Sequence, residues 1–88
     1  MKIFLDHREG PSGIKKELIK HGLEVFEEQL KLADFIIKTK TLDGKIVTVG
    51  IERKTTNDFL NSIIDKRIIS QLMDMKKHFE VPLLIIEG

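Results

Sequence analysis

Asp43-Gly44, set between two runs of alternating apolar residues, is the feature that most constrains this chain. Asp-Gly is a strong hairpin signal, because glycine reaches the positive φ that a tight reversal requires. The flanking runs, Asp34–Thr41 and Lys45–Arg53, read as its two strands. Two registers compete. A two-residue loop pairs Leu42 with Lys45 and sets Phe35 opposite Glu52. A three-residue loop, Leu42-Asp43-Gly44, pairs Thr41 with Lys45 and closes on a left-handed glycine. Phe35 then faces Ile51, Ile37 faces Val49, and Thr39 faces Val47. The second register gathers the apolar side chains on one face, so burial selects it.

The other face carries the consequence. Asp34 stands opposite Glu52 with β-carbons about 5 Å apart, and Lys54, two residues on, shares their face. Two carboxylates held together repel, and burial pushes one of them toward protonation. A divalent cation between them removes the repulsion, and hard oxygen ligands suit Mg²⁺ or Mn²⁺. The competing reading puts both acids at solvated strand ends, paired with Lys38, Lys54 or other neighbours. Lys54 weighs toward a site. Two carboxylates and a lysine are what metal-assisted hydrolysis of a phosphodiester needs, the lysine facing charge that grows on the phosphate.

The rest of the chain reads as an α/β domain in the order β-α-β-β-β-α-β, a mixed sheet with helices packed on it. Residues 2–6 (KIFLD) form a first strand and His7–Gly10 a polar loop. Pro11-Ser12-Gly13 opens a short helix with Ser12 as N-cap and Gly22 as its left-handed stop. Residues 23–28 suit a second strand, with an unclear period. A single helix of roughly 34 Å is expected over Asn57–Phe79. The apolar run PLLIIE, residues 82–87, is expected as a buried parallel strand. With 88 residues the chain makes one domain, 1–88. The absence of cysteine excludes disulfides, zinc–thiolate centres and cysteine nucleophiles. No apolar run approaches the ~20 residues that span a bilayer, and the N-terminus opens into a strand, so an intracellular location is expected. A net charge of +1 does not announce a nucleic-acid partner. The basic residues divide unevenly, 12 Lys against 3 Arg, which suggests that Arg8, Arg53 and Arg67 are kept for bidentate work.

Asp34, Glu52 and Lys54 form the D…(D/E)xK constellation of the restriction-endonuclease-like fold. Their neighbours narrow the likeness. Asp34 followed by ERKTTND at 52–58 resembles the G-D…E-R-K-x-x-x-D signature of XPF-type structure-specific endonucleases. DHRE at 6–9 is similar to the D-x-R-E that ends their first strand. Asp58-Phe59, Ser62-Ile63, Arg67 and Gln71 resemble their D-F…S-I…R…Q helix, and PLLIIEG their next strand. The resemblance implies a nuclease that cuts branched DNA, such as 3′ flaps, forks or related junctions, with Mg²⁺ or Mn²⁺. It assigns Asp34 and Glu52 to the metal and Lys54 to catalysis with Arg53 beside it, and it sets Asp6, Arg8, Glu9 and Asp58 around the same site.

The residues themselves leave other roles open. Asp6 and Glu9 lie at the C-terminal end of a strand, where open α/β sheets place their sites, with loop solvation or capping as the competing reading. Asp58, three residues after Thr55, has the spacing of a capping box. Arg67 and Gln71 lie on an apolar stripe and need partners, either the carboxylates, a DNA phosphate, or a local acid such as Asp74. His7, His21 and His78 show no metal-ligand spacing.

Ala33 stands where the XPF-type signature has glycine. The usual helices beyond PLLIIEG and the paired helix-hairpin-helix module that grips DNA are not in this chain, so it reads as a fragment or a reduced version. An uncovered edge strand would favour a homodimer or a partner subunit. The competing functions are a DNA-binding or assembly module that no longer cuts, and a junction-resolving or restriction-like nuclease.

Overall fold

In the computed structural model, which describes residues 1–88 with the side chains of residues 10–12 excepted, the chain runs β1 (Lys2–Asp6), a 3-10 turn (His7–Ser12), α1 (Ile14–Lys20), β2 (Glu24–Glu28), β3 (Phe35–Lys40), β4 (Ile46–Thr55), α2 (Thr56–Ile64), α3 (Arg67–His78) and β5 (Val81–Glu87). The five strands form one mixed sheet in the order β2-β1-β3-β4-β5. β3 runs antiparallel to both its neighbours, and the other adjacent pairs are parallel.

The hairpin takes the three-residue loop. Phe35 pairs with Ile51, Ile37 with Val49 and Thr39 with Val47. The Thr41 N–H donates to the Lys45 carbonyl at 2.8 Å, the Gly44 N–H donates to the Thr41 carbonyl at 3.0 Å, and Gly44 sits at φ +84°. Adjacent residues of β4 therefore face opposite sides of the sheet. Ile51 lines an apolar groove with Ile3, Phe35 and Ile37, against Ile14 and Leu18 of α1. Gly50 faces the other way, where the ring of Phe79, just past α3, packs so closely that any β-carbon would overlap it. The helices thus lie on both faces. Leu5, Phe35 and Ile3 fill the core from the sheet, and Ile68 and Met75 from α3.

Three expectations are corrected. The long helix is two. Asp65 closes α2, Lys66 takes a left-handed φ of +63°, and the Asp65 carboxylate accepts from the Arg67 N–H at 3.1 Å and from its Nε at 2.6 Å. The cause is burial. Ile68 and Met75 lie within about 20° of each other around a helix, but Ser62 lies about 120–140° away on a straight rod. All three are buried, so the rod must break and re-phase. Second, β5 is parallel to β4 as expected but is not buried. It forms the sheet edge, and Val81, Leu83, Ile85 and Ile86 are 39–44 % exposed. Third, Gly13, not Ser12, occupies the N-cap position of α1, and the Ser12 side chain lies outside the described residues. The C-terminal stop of α1 is as expected: Gly22 at φ +80° lets its own N–H reach Ile19 and the Leu23 N–H reach Leu18, a Schellman closure. No described helix is long and apolar enough to cross a membrane.

Gly50→Ala should lower stability by about 1–3 kcal/mol through overpacking against Phe79. Urea unfolding should show a lower midpoint at unchanged slope. Combined with Phe79→Ala, which empties the space, the two changes should cost less than their sum.

Candidate active site

Four of the five strands, β1, β2, β4 and β5, point the same way, and the predicted site residues collect where they end and β3 begins. This is the customary place for a site in an open α/β sheet, because loops and helix starts converge there. A hollow of ≈ 400 Å³ opens at this end, lined by Arg8, Glu9, Asp34, Glu52, Arg53, Lys54, Asp58 and Arg67. Eight of the ten residues singled out from sequence thus meet in one place.

Asp34 is 7 % exposed and held on every side by backbone. Its N–H donates to the Ile51 carbonyl at 2.8 Å, its carbonyl accepts from the Asp6 N–H at 2.9 Å, and its Oδ2 accepts from the Arg53 N–H at 2.8 Å. The ladder between β3 and β4 ends at Phe35–Ile51, and Asp34, bonded to Ile51 and not to Glu52, steps out of the expected register at a bulge while staying near enough to act on the Glu52 charge. Desolvation of the half-buried Glu52 carboxyl raises its pKa, and the Asp34 charge raises it further. A hydrogen bond from Gln71 and the charges of Lys54 and Arg8 pull the other way. Gln71, on α3, thus lies on the Glu52 side of the site and lines the neighbouring hollow with Lys54 and Arg67. Among the described residues no group of three or more His, Asp or Glu is gathered for a metal. A hard cation here would rest on Asp34 and Glu52 alone, which suits Mg²⁺, an ion that takes one or two carboxylates and keeps several waters.

The remaining residues divide by what they touch. Asp6, expected among the catalytic groups, does not line the hollow. It is 1 % exposed, with Oδ1 accepting from the Leu30 N–H at 2.7 Å and Oδ2 from the Arg8 N–H at 3.1 Å and its Nε at 2.6 Å. The Arg8 hydrogen bond holds its carboxyl below the usual range. Asp6 thus braces Arg8, whose own pKa is raised mainly by Asp6 and, more weakly, by Asp34 and Glu52. Arg53 is committed elsewhere too. Its Nη1 donates to Glu9, while Nε and Nη2 donate to the two carboxylate oxygens of Glu87 at 2.6 and 3.1 Å. The guanidinium ties β4 to the turn after β1 and to β5, and the Glu87 bond is the chief reason its pKa rises. Thr55 caps α2 by accepting the Asp58 backbone N–H at 3.1 Å, and Asp58 lines the hollow. Arg67 has a local acid as partner, Asp65 in place of Asp74. Lys54 has no carboxylate within 4.0 Å among the described residues.

Two nearby residues were not singled out from sequence. Glu87 was read only as the tail of an apolar run. Lys31, in the β2–β3 connection, carried one available signal, its place three residues before Asp34.

A mixed sheet with helices on both faces and paired carboxylates at one strand end defines a nuclease-type α/β domain, and the solved structures agree. The chain matches XPF from Aeropyrum pernix with a TM-score of 0.78 and 28 % identity, over 100 % of this chain and 40 % of that one. XPF from Aeropyrum pernix in complex with DNA matches at 0.76 and 29 %, over 99 % and 40 %. Residues 5–88 match the ERCC4 domain, and the chain belongs to that family, with an XPF-type nuclease domain. Among curated relatives, the 3'-flap repair endonuclease Xpf of Saccharolobus solfataricus is 35 % identical over 100 % of this chain and 34 % of its own length. The DNA repair endonuclease XPF of Drosophila melanogaster is 31 % identical over 98 % of this chain and 8 % of its own length. The chain thus spans about a third of the first relative and far less of the second.

Glu52 carries a stability consequence. With its folded-state pKa raised, it costs nothing below the unfolded-state value near pH ~4, and the fold loses stability as pH rises through the folded-state value. Glu52→Gln in buffer with a chelator should therefore melt higher than wild type at pH 7, with the gap closing toward pH 4. Differential scanning calorimetry across that range checks it, and an equal or lower melting temperature at pH 7 would refute it.

Proposed function

We propose that this chain is the catalytic domain of a divalent-metal-dependent DNA endonuclease that hydrolyses phosphodiesters in branched DNA, such as a 3′ flap or fork. The observation that carries the reading is the Asp34–Glu52 pair, two like charges kept side by side with Glu52 raised toward protonation and Lys54 uncommitted beside it. Such an arrangement is costly without a cation, and among the described residues only the Asp34 carboxylate of the pair is tied to backbone, through the Arg53 N–H. The family supports the chemistry, since one relative is named a 3'-flap repair endonuclease and one structural match is a complex with DNA.

Asp34 and Glu52 would hold Mg²⁺ or Mn²⁺, and the chemistry such an ion supplies is Lewis-acid polarisation of a phosphodiester and acidification of water. The chain's own residues do the rest. Lys54 and Arg8 set positive charge beside the phosphate, where negative charge grows as the bond breaks. Gln71 would steady the Glu52 carboxylate from α3. The Arg53 ion pairs lock β4 against β5 and the turn after β1, so the two acids keep their spacing.

The exposed β5 edge, with Leu83 and Ile85 outward, supports a second copy or a partner subunit along it. The alternatives, an uncutting DNA-binding module of the same fold or a junction resolvase, predict different products.

The test is cleavage of a labelled 3′ flap with Mn²⁺. Wild type should cut at the branch, Asp34→Asn and Glu52→Gln should lose activity, and Lys54→Ala should fall by about 10²–10³ in kcat. Equal cleavage by wild type and the two carboxylate variants would end the reading. Cuts confined to four-way junctions would favour the resolvase, and binding without cutting under any metal would favour the inactive module.

A further inference from the structure

Three hollows adjoin around the carboxylate pair, and one lysine outside every recognised motif lines two of them. Lys31 borders a hollow of ≈ 370 Å³ together with Leu32, Lys54, Arg67, Gln71 and one acid, Asp74, so three cations face a single carboxylate there. It also borders one of ≈ 470 Å³ together with Asp6, His7 and Arg8. The first shares Lys54 and Arg67 with the carboxylate hollow, and the second shares Arg8. Arg8, Lys31, Lys54 and Arg67 thus form a ring of cations through hollows that share residues, with Lys31 one hollow removed from Asp34 and Glu52.

Its place is set by packing, not by a slack loop. Leu30 before it is buried, and the Leu30 N–H is held by the buried Asp6 carboxylate at 2.7 Å. Ala33, two residues after it, is buried as well, and Asp34 is locked between β1 and β4. The second oxygen of Asp6 holds Arg8. One buried carboxylate therefore fixes Arg8 on one side and the backbone beside Lys31 on the other. This gives Asp6 a positioning role that its lack of access to the carboxylate hollow had left unexplained.

The cations of the ring also differ in what they are free to do. Arg8 and Arg67 each have a carboxylate partner at 2.6 Å, Asp6 and Asp65. Lys31 and Lys54 have no carboxylate within 4.0 Å among the described residues. An ammonium on a flexible stem acts on phosphate as a point charge and does not need bidentate geometry. A chain of net charge +1 has no general field to draw in a polyanion, and Asp34 and Glu52 repel one. Attraction must come from local, uncommitted cations flanking the acids.

We propose that Lys31 forms a phosphodiester subsite for the DNA strand, taking a phosphate next to the one at Lys54, so that the strand leaves the carboxylate pair past Lys54 and Arg67 toward the β2–β3 connection. This rests on the nuclease reading for the identity of the strand and adds a binding residue that the motifs do not contain. Lys31 touches the backbone and not the scissile bond, so it governs substrate affinity and leaves the chemical step alone.

Fluorescence anisotropy of a labelled single-stranded oligonucleotide, titrated with the full chain in EDTA over a KCl series, tests the subsite without any catalysis. Removing one phosphate contact should reduce the slope of log K against log salt by about 0.7 in Lys31→Ala. Lys31→Arg should keep the slope, and so should Lys16→Ala, on α1 across the sheet. An unchanged slope in Lys31→Ala, an equal loss in Lys16→Ala, or no binding by wild type overturns the subsite. On a 3′ flap with Mn²⁺, Lys31→Ala should raise KM severalfold at unchanged kcat. Wild-type cleavage with KM unaffected in Lys31→Ala would sink the subsite and spare the nuclease reading. A reduced slope with no wild-type cleavage would uphold the subsite and sink the nuclease reading instead.

Discussion

Asp34 and Glu52 repel each other, and the sheet keeps them together through backbone hydrogen bonds that neither side chain can escape. Asp34 is bound through its N–H, its carbonyl and its carboxylate, to β4, β1 and β4 again. Net contributions are about 1 kcal/mol for each neutral bond and about 1.5–3 kcal/mol for the one to the charged oxygen. Two unit charges about 4 Å apart repel by about 1–4 kcal/mol, depending on how much water reaches them. The two quantities are of similar size, so the pair is tolerated at a cost, and the raised pKa of Glu52 shows where that cost falls. The surrounding architecture either enforces this juxtaposition or compensates for it.

Enforcement comes from buried and paired charges. Arg53 reaches Glu9 and Glu87 at once, joining the turn after β1 to the last strand. Asp6 reaches Leu30 and Arg8 at once, joining the β2–β3 connection to that same turn. Asp65 caps the break between α2 and α3, and the break lets α3 turn Gln71 toward Glu52. Compensation comes from cations that are not consumed in this bracing. Two of the three arginines, Arg8 and Arg53, hold their carboxylates within the site's own frame, and Lys31 and Lys54 have no carboxylate partner among the described residues. The arginines near the site thus go to bracing, and its unpaired cations are lysines.

Much of this was legible in the sequence because the hairpin is a local problem. Asp43-Gly44 and the apolar alternation of residues 35–39 and 47–51 admit one register that buries both strands, and that register places Asp34, Glu52 and Lys54 together. The Thr55 cap of α2 and the Gly22 stop of α1 are local in the same sense. Where the reading failed, the deciding contact was distant. Nothing near residue 66 breaks a helix by propensity, since lysine is a good helix former. The break follows from Ser62, Ile68 and Met75 each needing the interior. PLLIIE has the composition of a buried strand, yet its burial depends on what flanks it, and here it forms an edge.

The sequence by itself determined the order of the strands and the meeting of Asp34, Glu52 and Lys54 at one end of the sheet, because turn chemistry and side-chain periodicity act over a few residues and leave little choice. Only the tertiary structure decided what the flanking acids and bases do. Asp6 became a buried brace, Arg53 an ion-pair hub and Lys31, one hollow away from the carboxylates, a cation with no salt-bridge partner among the described residues. The physical reason is that a charged group takes its role from its partners and its solvent, and across 24 residues from Asp6 to Leu30, or 34 from Arg53 to Glu87, those are set by packing alone.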